Sequence, residues 1–154
     1  MKRGFTLIEL LIVITIIGIV AVIAIPNLLV ALQKSKQKST MGDMHSIGLA
    51  IESYISNVSF APFSNGTTEN SLNKKWFLPF YIKILPSVDG WGTYFQYTSR
   101  TNEKESYSVI SFGRNKKKGP VPPNRFFRLT DISDFNYDII FSNGQFSQMP
   151  IKPN

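Results

Sequence analysis

The chain has 154 residues, with 17 Lys and Arg, 10 Asp and Glu and one His, giving a formal charge of +7 at pH 7. This length leaves room for one membrane anchor and one small domain, and the absence of cysteine excludes disulfides and thiol chemistry. There is no phosphate-binding glycine loop, no nucleophile with a suitable base and no histidine cluster. The composition therefore argues against an enzyme.

The first predicted element is a long apolar helix. From Leu10 to Gln33 there are 24 consecutive uncharged residues, rich in Ile, Leu and Val. Since ~20 apolar residues cross a hydrocarbon core of ~30 Å as a helix, this segment predicts a membrane span. One carboxylate, Glu9, lies near its start. An acid there is costly in lipid, which makes Glu9 a functional candidate.

Two simpler interpretations of this segment are a secretory signal peptide and a plain membrane anchor. A signal peptide has an apolar core of ~7–15 residues that ends at a small-x-small cleavage site. The core of this chain is longer, contains Glu9 and has no clear site of that kind before Pro26. The hydrophobic pattern alone leaves the plain anchor open.

The residues Gly4-Phe5-Thr6-Leu7-Ile8-Glu9 resemble the class III signal of type IV pilins and type II secretion pseudopilins. The resemblance implies that residues 1–4 are a leader, that a prepilin peptidase cleaves after Gly4 and that it methylates the new N-terminal Phe5. It also implies that Glu9 pairs with the N-terminal amine of a neighbouring subunit and sets the axial register of a filament. The basic leader predicts an N-terminus that stays in the cytoplasm.

Pro26 lies inside the apolar run. A proline costs ~3 kcal/mol or more in a soluble helix interior, but in a membrane helix neighbouring groups and local adjustment satisfy the freed backbone atoms. The helical pattern of apolar residues continues directly after Pro26, so the proline predicts a kink in the helix rather than the end of the helix. Residues 5–33 are thus the transmembrane or filament-core helix, and three lysines within residues 33–38 mark the membrane boundary.

Residues 34–58 continue the helix in amphipathic form. Apolar side chains recur at spacings of three and four, at Met44, Ile47, Ile51, Tyr54 and Val58. Such a stripe faces a partner that covers it. The expected partner is a globular head formed by residues 59–154.

The head is predicted to contain strands over residues 93–98 and 106–113, and a hairpin around Asn143-Gly144. The first strand follows a turn around Trp91. This region resembles major pseudopilins of type II secretion, which carry Leu-Pro, then Asp-Pro-Trp-Gly and a tyrosine-rich strand. The matching residues are Leu85, Pro86, Asp89, Trp91, Gly92, Tyr94 and Tyr97. Gly90 stands where the family usually has proline.

The same resemblance implies a calcium site in the C-terminal loop, and calcium takes six to eight oxygen ligands. The ligands implied are the Phe112 carbonyl, Asn115 where the family usually has aspartate, and an aspartate beyond. The candidate side chains are Asn115, Asp131, Asp134 and Asp138. Three lysines at 116–118 stand where the family loop is acidic or neutral, so calcium is expected to have little effect. The alternative is that the aspartates cap turns and offset basic neighbours.

The lysine run at 116–118 raises the question of nucleic-acid binding. Basic patches attract nucleic acid electrostatically, but three lysines in a loop are usually solvated and no recognition fold accompanies them. Nucleic acid is therefore not an expected partner, and calcium is the only cofactor that the resemblance suggests.

These observations predict an α+β fold, in which a long membrane-spanning helix carries a small antiparallel sheet on its C-terminal half. The resemblance implies a non-catalytic subunit of a pseudopilus in type II protein secretion. The implied partners are copies of itself, prepilin peptidase, minor pseudopilins and an inner-membrane assembly platform. The implied location is the bacterial inner membrane, with one span and a periplasmic head, and then a periplasmic filament. The alternative is a type IV pilin that forms a surface fibre for adhesion, motility or DNA uptake; the missing cysteines and the Asp-x-Trp-Gly stretch favour the pseudopilin.

Overall fold

The computed structural model describes residues 4–63, 65–67, 77–99, 105–119, 122 and 124–151. Residues 1–3 of the predicted leader lie outside this part of the chain. One helix, α1 (Leu7–Val58), precedes six short strands: β1 (Asn65–Thr67), β2 (Gln96–Ser99), β3 (Tyr107–Ser111), β4 (Phe126–Arg128), β5 (Ile139–Ser142) and β6 (Gln145–Ile151). Two 3-10 helices, Gly113–Asn115 and Ile132–Asn136, flank β4. The fold is α+β, as predicted.

By its internal contacts the chain divides into two units, Met1–Lys34 and Ser35–Asn154. In the first unit the described residues from Leu7 onward are helical, and their apolar side chains are largely exposed. By length and composition α1 can cross a membrane, and its most apolar window is uncovered by the rest of the chain. Pro26 lies within the helix, while its kink stays a prediction. The predicted boundaries of leader, span and head stay predictions too.

Polar side chains in the first unit bond to the helix backbone. The Thr15 hydroxyl donates to the Leu11 carbonyl at 2.7 Å, and the Asn27 amide donates to the Ile23 carbonyl at 3.1 Å. In lipid such groups have to be satisfied within the protein, because no water is present to pair with them. These bonds make a polar residue compatible with a membrane span.

The core of the second unit lies between α1 and the sheet. Met44, Ile47 and Ile51 of the predicted stripe are fully buried, while Tyr54 and Val58 are half-buried. All of them except Val58 pack in one cluster with inward-facing side chains of the strands, namely Tyr97, Tyr107, Val109, Ile139 and Phe141. Burial of each large apolar side chain contributes ~1.5–3 kcal/mol. The C-terminal half of the helix thus has a buried apolar face, while residues 34–58 as the bounds of an amphipathic continuation stay a prediction.

The sheet has the strand order β1-β2-β3-β5-β6-β4. All pairs are antiparallel except β4 and β6, which run parallel with Phe126 opposite Met149. The fold class is as predicted, but the sheet, expected to be antiparallel, is mixed at this edge. After β4 the chain forms β5, which lies inside the sheet beside β3. The hairpin then places β6 between β5 and β4, so that β6 runs parallel to β4.

The turn between β5 and β6 is the predicted Asn-Gly hairpin. Asn143 and Gly144 have φ angles of 48° and 79°, and a positive φ at both central residues is what a type I′ turn requires.

The first predicted strand, over residues 93–98, begins later than expected, at Gln96. Tyr94 is already bridged to Val88 within the preceding turn.

Helix and sheet approach closely at Gly48. A Cβ at this position would collide with the Phe141 ring, so no larger residue fits without displacing that ring. Nearby, the Tyr107 hydroxyl donates to the Glu52 carboxylate at 2.8 Å and accepts the Gly144 N–H at 3.2 Å. One tyrosine therefore ties α1 to the β5–β6 turn.

Candidate functional site

Glu9 lies in the first turn of α1 and is hydrogen-bonded to Thr6, the residue before the helix. The Thr6 N–H and hydroxyl donate to Glu9 Oε2 at 2.8 and 2.6 Å, and the Glu9 N–H donates to the Thr6 hydroxyl at 3.3 Å. This reciprocal arrangement is a capping box. An acid in the first turn is also favourable for the helix dipole.

Thr6 is a partner that the sequence prediction for Glu9 missed. The predicted partner, the amine of another subunit, stays a prediction; within the chain, Glu9 Oε2 accepts two hydrogen bonds from Thr6. The spacing Thr-x-x-Glu ahead of an apolar run is a known sequence signature of this motif. The signal was therefore present in the sequence.

The predicted cleavage site precedes the helix. Gly4, Phe5 and Thr6 lie outside regular secondary structure, because α1 begins at Leu7. The Phe5 side chain is 78% exposed. A peptide bond that is free of helical hydrogen bonds and unobstructed by side chains is accessible to a protease, so the geometry is compatible with cleavage between Gly4 and Phe5.

A second feature of interest is the turn built around Asp89. Its Oδ1 accepts the N–H groups of Trp91 and Thr93, each at 2.9 Å, and its Oδ2 accepts the Ser111 hydroxyl at 2.7 Å. Asp89 is only 5% exposed, and a buried carboxylate needs such partners. It therefore shapes the turn and ties it to the end of β3.

Gly90 is the point where this turn contacts α1. Its N–H donates to the Thr40 hydroxyl at 2.9 Å, and that hydroxyl donates to the Lys36 carbonyl at 2.9 Å. A Cβ on Gly90 would collide with the Lys36 carbonyl oxygen. Proline has no N–H to donate and its ring would fill this space. The contact explains why glycine, and not proline, fits at this position.

Two of the calcium candidates, Asp131 and Asp134, cap the second 3-10 helix. Asp131 Oδ1 accepts the Ile132 N–H at 2.7 Å. Asp134 Oδ2 accepts the N–H groups of Thr130 and Asp131 at 2.6 and 2.8 Å and the Thr130 hydroxyl at 3.0 Å. Partial burial of Asp134 opposes ionisation, but these hydrogen bonds outweigh it and lower the pKa of the carboxyl.

The other two candidates, Asn115 and Asp138, lie around Gly119. Asp138 Oδ1 accepts the Gly119 N–H at 2.9 Å, and Asn115 Oδ1 accepts the Lys117 N–H at 3.1 Å. Burial raises the pKa of Asp138, although the Gly119 N–H and the positive charge of Lys118 act in the opposite direction.

The donor set does not fit calcium. Among the residues that the structure describes, no three Asp, Glu, His or Cys side chains lie together as a metal site would require. Asp131 and Asp134 cap the second 3-10 helix, whereas Asp138 accepts the Gly119 N–H beside Asn115. Calcium takes six to eight oxygens, and the expectation that it has little effect stays a prediction.

An exposed apolar helix with a capped acid in its first turn, followed by a small α+β head, is typical of subunits of the pilin type and fits membrane anchoring. The chain matches the family models for the prokaryotic N-terminal methylation motif over residues 1–25 and for type II secretion system protein G over residues 27–125. It therefore belongs to the type II secretion system protein G family.

Individual relatives agree with this assignment. The type II secretion system core protein G of Pseudomonas aeruginosa is 32% identical over 126 residues, which cover 77% of this chain and 87% of that protein. The core protein G of Vibrio cholerae is 31% identical over 141 residues, or 87% of this chain and 95% of that protein. The type IV major pilin PilA of Myxococcus xanthus is 47% identical over 55 residues, which are 36% of this chain and 25% of the pilin.

Proposed function

We propose that this chain is a structural subunit of a type II secretion pseudopilus and carries out no catalysis itself. The observation that carries the proposal is the match to protein G over residues 27–125, which extends through most of the head. The exposed apolar helix supports it, because extensive uncovered apolar surface marks a membrane or protein interaction. The same surface serves lipid contact before assembly and helix–helix packing in the filament.

The alternative function, a type IV pilin of a surface fibre, is supported over a smaller part of the chain. The likeness to the Myxococcus xanthus pilin spans 55 residues, whereas the likeness to the Vibrio cholerae protein G spans 141. The head is therefore accounted for by the secretion family.

Deletion of the gene in the source bacterium separates the two functions. We expect proteins that normally reach the culture medium to accumulate in the periplasm, while surface fibres and surface motility are unchanged. Mass spectrometry of medium and periplasm, together with electron microscopy of the cell surface, provides the measurement, and a strain complemented with the gene is the control. Loss of surface fibres with normal secretion would establish the pilin instead.

Processing is the second part of the proposal. Prepilin peptidase removes residues 1–4 and methylates Phe5, which is supported by the methylation-motif match over residues 1–25. We expect mass spectrometry of filaments from the native host to find N-methylated Phe5 as the first residue. In a strain without the peptidase, the chain should retain Met1 and remain unassembled. Assembled filaments that still contain Met1 would contradict cleavage.

The route to the filament follows from the anchor. The subunit first resides in the inner membrane, with its basic N-terminus in the cytoplasm and its head in the periplasm. It then joins a periplasmic filament with other copies of itself, aided by minor pseudopilins and an inner-membrane assembly platform. The apolar helix supports the membrane stage, and membership of the protein G family supports the filament stage.

A further inference from the structure

Two segments of the head, residues 113–119 and residues 131–138, close tightly on each other; together they are called the clasp. At one end the backbone of Gly113 lies against the carbonyl oxygens of Phe135 and Tyr137, which a Cβ on Gly113 would approach to 2.6 and 2.8 Å. At the other end a Cβ on Gly119 would lie 2.7 Å from the Asn136 carbonyl oxygen. The main chain of one segment therefore fills the space beside the other.

Hydrogen bonds join the same two segments. The Arg114 Nε–H donates to the Asn136 side-chain oxygen at 3.1 Å, and the Gly119 N–H donates to Asp138 Oδ1 at 2.9 Å. The Gln148 amide donates to the Asp138 carbonyl at 2.7 Å, which fixes the clasp to β6. Donors of this chain thus bond to the Asn136 side-chain oxygen and to both the carboxylate and the carbonyl of Asp138.

Fixed positive charge lies on the same loop. Arg114 is half-buried against the second segment, and Lys118 lies beside the contact between Gly119 and Asp138. A bound cation in a loop of this kind would cancel the charge of a carboxylate and join two backbone segments. In this chain Arg114 and Lys118 supply the positive charge. The Arg114 Nε–H and the Gly119 N–H join the two segments.

We propose that the clasp holds the C-terminal loop closed without a metal ion, with the Gly119 amide on Asp138 and the Arg114 guanidinium on Asn136 replacing a cation. The head then folds and stays stable irrespective of calcium. If the proposed secretion function is correct, filament assembly is independent of calcium as well.

The first test is thermal unfolding of the full-length chain in detergent, followed by the near-ultraviolet signal of buried aromatic residues such as Trp91. We expect the same Tm in millimolar calcium chloride and in a chelator, and no heat of binding when calcium is titrated calorimetrically. A rise in Tm of several degrees on calcium addition, or a measurable heat of binding, would overturn the proposal.

Variants test the contacts themselves. Gly119→Ala should lower Tm by roughly 4–8 °C, since its Cβ meets the Asn136 carbonyl, and Arg114→Met should lower it by less. Lys117→Ala is the matched control, because that side chain is exposed and only its backbone N–H is used. An unchanged Tm in both Gly119→Ala and Arg114→Met would contradict the clasp, and if Gly119→Ala fails to fold, Arg114→Met decides.

Asp138→Asn separates hydrogen bonding from metal binding. Asparagine keeps the oxygen that accepts the Gly119 N–H but removes the negative charge, so we expect a small change in Tm and still no response to calcium. If calcium stabilises the unmodified chain but not this variant, Asp138 is a metal ligand and the proposal fails. These measurements use purified protein, so their outcome is independent of whether the chain acts in secretion.

Discussion

Glu9→Leu is expected to leave a cleaved, membrane-resident protein that does not enter filaments. A charge at the centre of a membrane helix costs ~2.5–3.5 kcal/mol on insertion scales, so leucine should improve insertion rather than impair it. The loss should appear at assembly, where we propose that the Glu9 carboxylate pairs with the N-terminal amine of a neighbouring Phe5. Each of these charges is costly unless the other is present.

The capping box makes a sharper set of variants possible. Glu9→Gln keeps a capping-box side chain but removes the charge, and we expect it to fail in assembly as Glu9→Leu does. Thr6→Ala removes the hydroxyl that bonds to Glu9 but keeps the charge. Loss of the Thr6 cap should destabilise the helix by ~0.5–2 kcal/mol. We expect this variant to assemble less than the unmodified chain but not to fail.

Assembly is measured by electron microscopy of filaments and by cross-linking between subunits. Membrane residence is measured by fractionation. Cleavage is measured by mass spectrometry, because Thr6 lies next to the cleavage site and processing of Thr6→Ala therefore has to be checked. Normal filaments from Glu9→Leu would show that Glu9 does not set the register. Normal filaments from Glu9→Gln, with failure of Thr6→Ala, would show that Glu9 acts as a cap and not as a charge.

Gly90→Pro should destabilise the head strongly, although the resemblance to major pseudopilins implies proline at this position. The change removes the N–H that bonds to the Thr40 hydroxyl and places ring atoms against the Lys36 carbonyl. A proline that removes a needed donor and clashes with a carbonyl costs ~3 kcal/mol or more in a helix interior. We expect a loss of similar size in the free energy of unfolding, measured by urea denaturation of the detergent-solubilised chain.

Two further variants identify the source of this effect. Thr40→Val removes the hydroxyl but keeps the shape, and a donor left unsatisfied at a partly buried site costs ~1–3 kcal/mol. Gly92→Ala is the control for substitution in the same turn, because open space surrounds that position and only its φ of 78° opposes a side chain. If Gly90→Pro is as stable as the unmodified chain, the turn does not contact α1 in solution.

Local patterns in the sequence were sufficient for several elements. The uncharged run ending at Gln33 predicted an exposed apolar helix because a membrane span needs length and composition alone. The spacing of Met44, Ile47 and Ile51 predicted the buried face of α1, since the helical period places them on one side. Asn143-Gly144 predicted its hairpin, because few other residue pairs adopt positive φ at both turn positions. The Gly4–Glu9 signature indicated the family that the comparisons confirm.

Other features were decided only by contacts between residues far apart in the chain. The parallel pairing of β4 with β6 depends on which strand the returning hairpin meets, and strand spacing does not reveal this. The role of Gly90 depends on a helix carbonyl more than fifty positions earlier, at Lys36. The three aspartates among the calcium candidates lie close in sequence, yet Asp134 bonds to the start of a 3-10 helix while Asp138 bonds to Gly119. Sequence determined which segments are helical, apolar or turning, because those properties are local; tertiary structure decided which groups meet, because backbone donors and acceptors find their partners only when distant segments pack together.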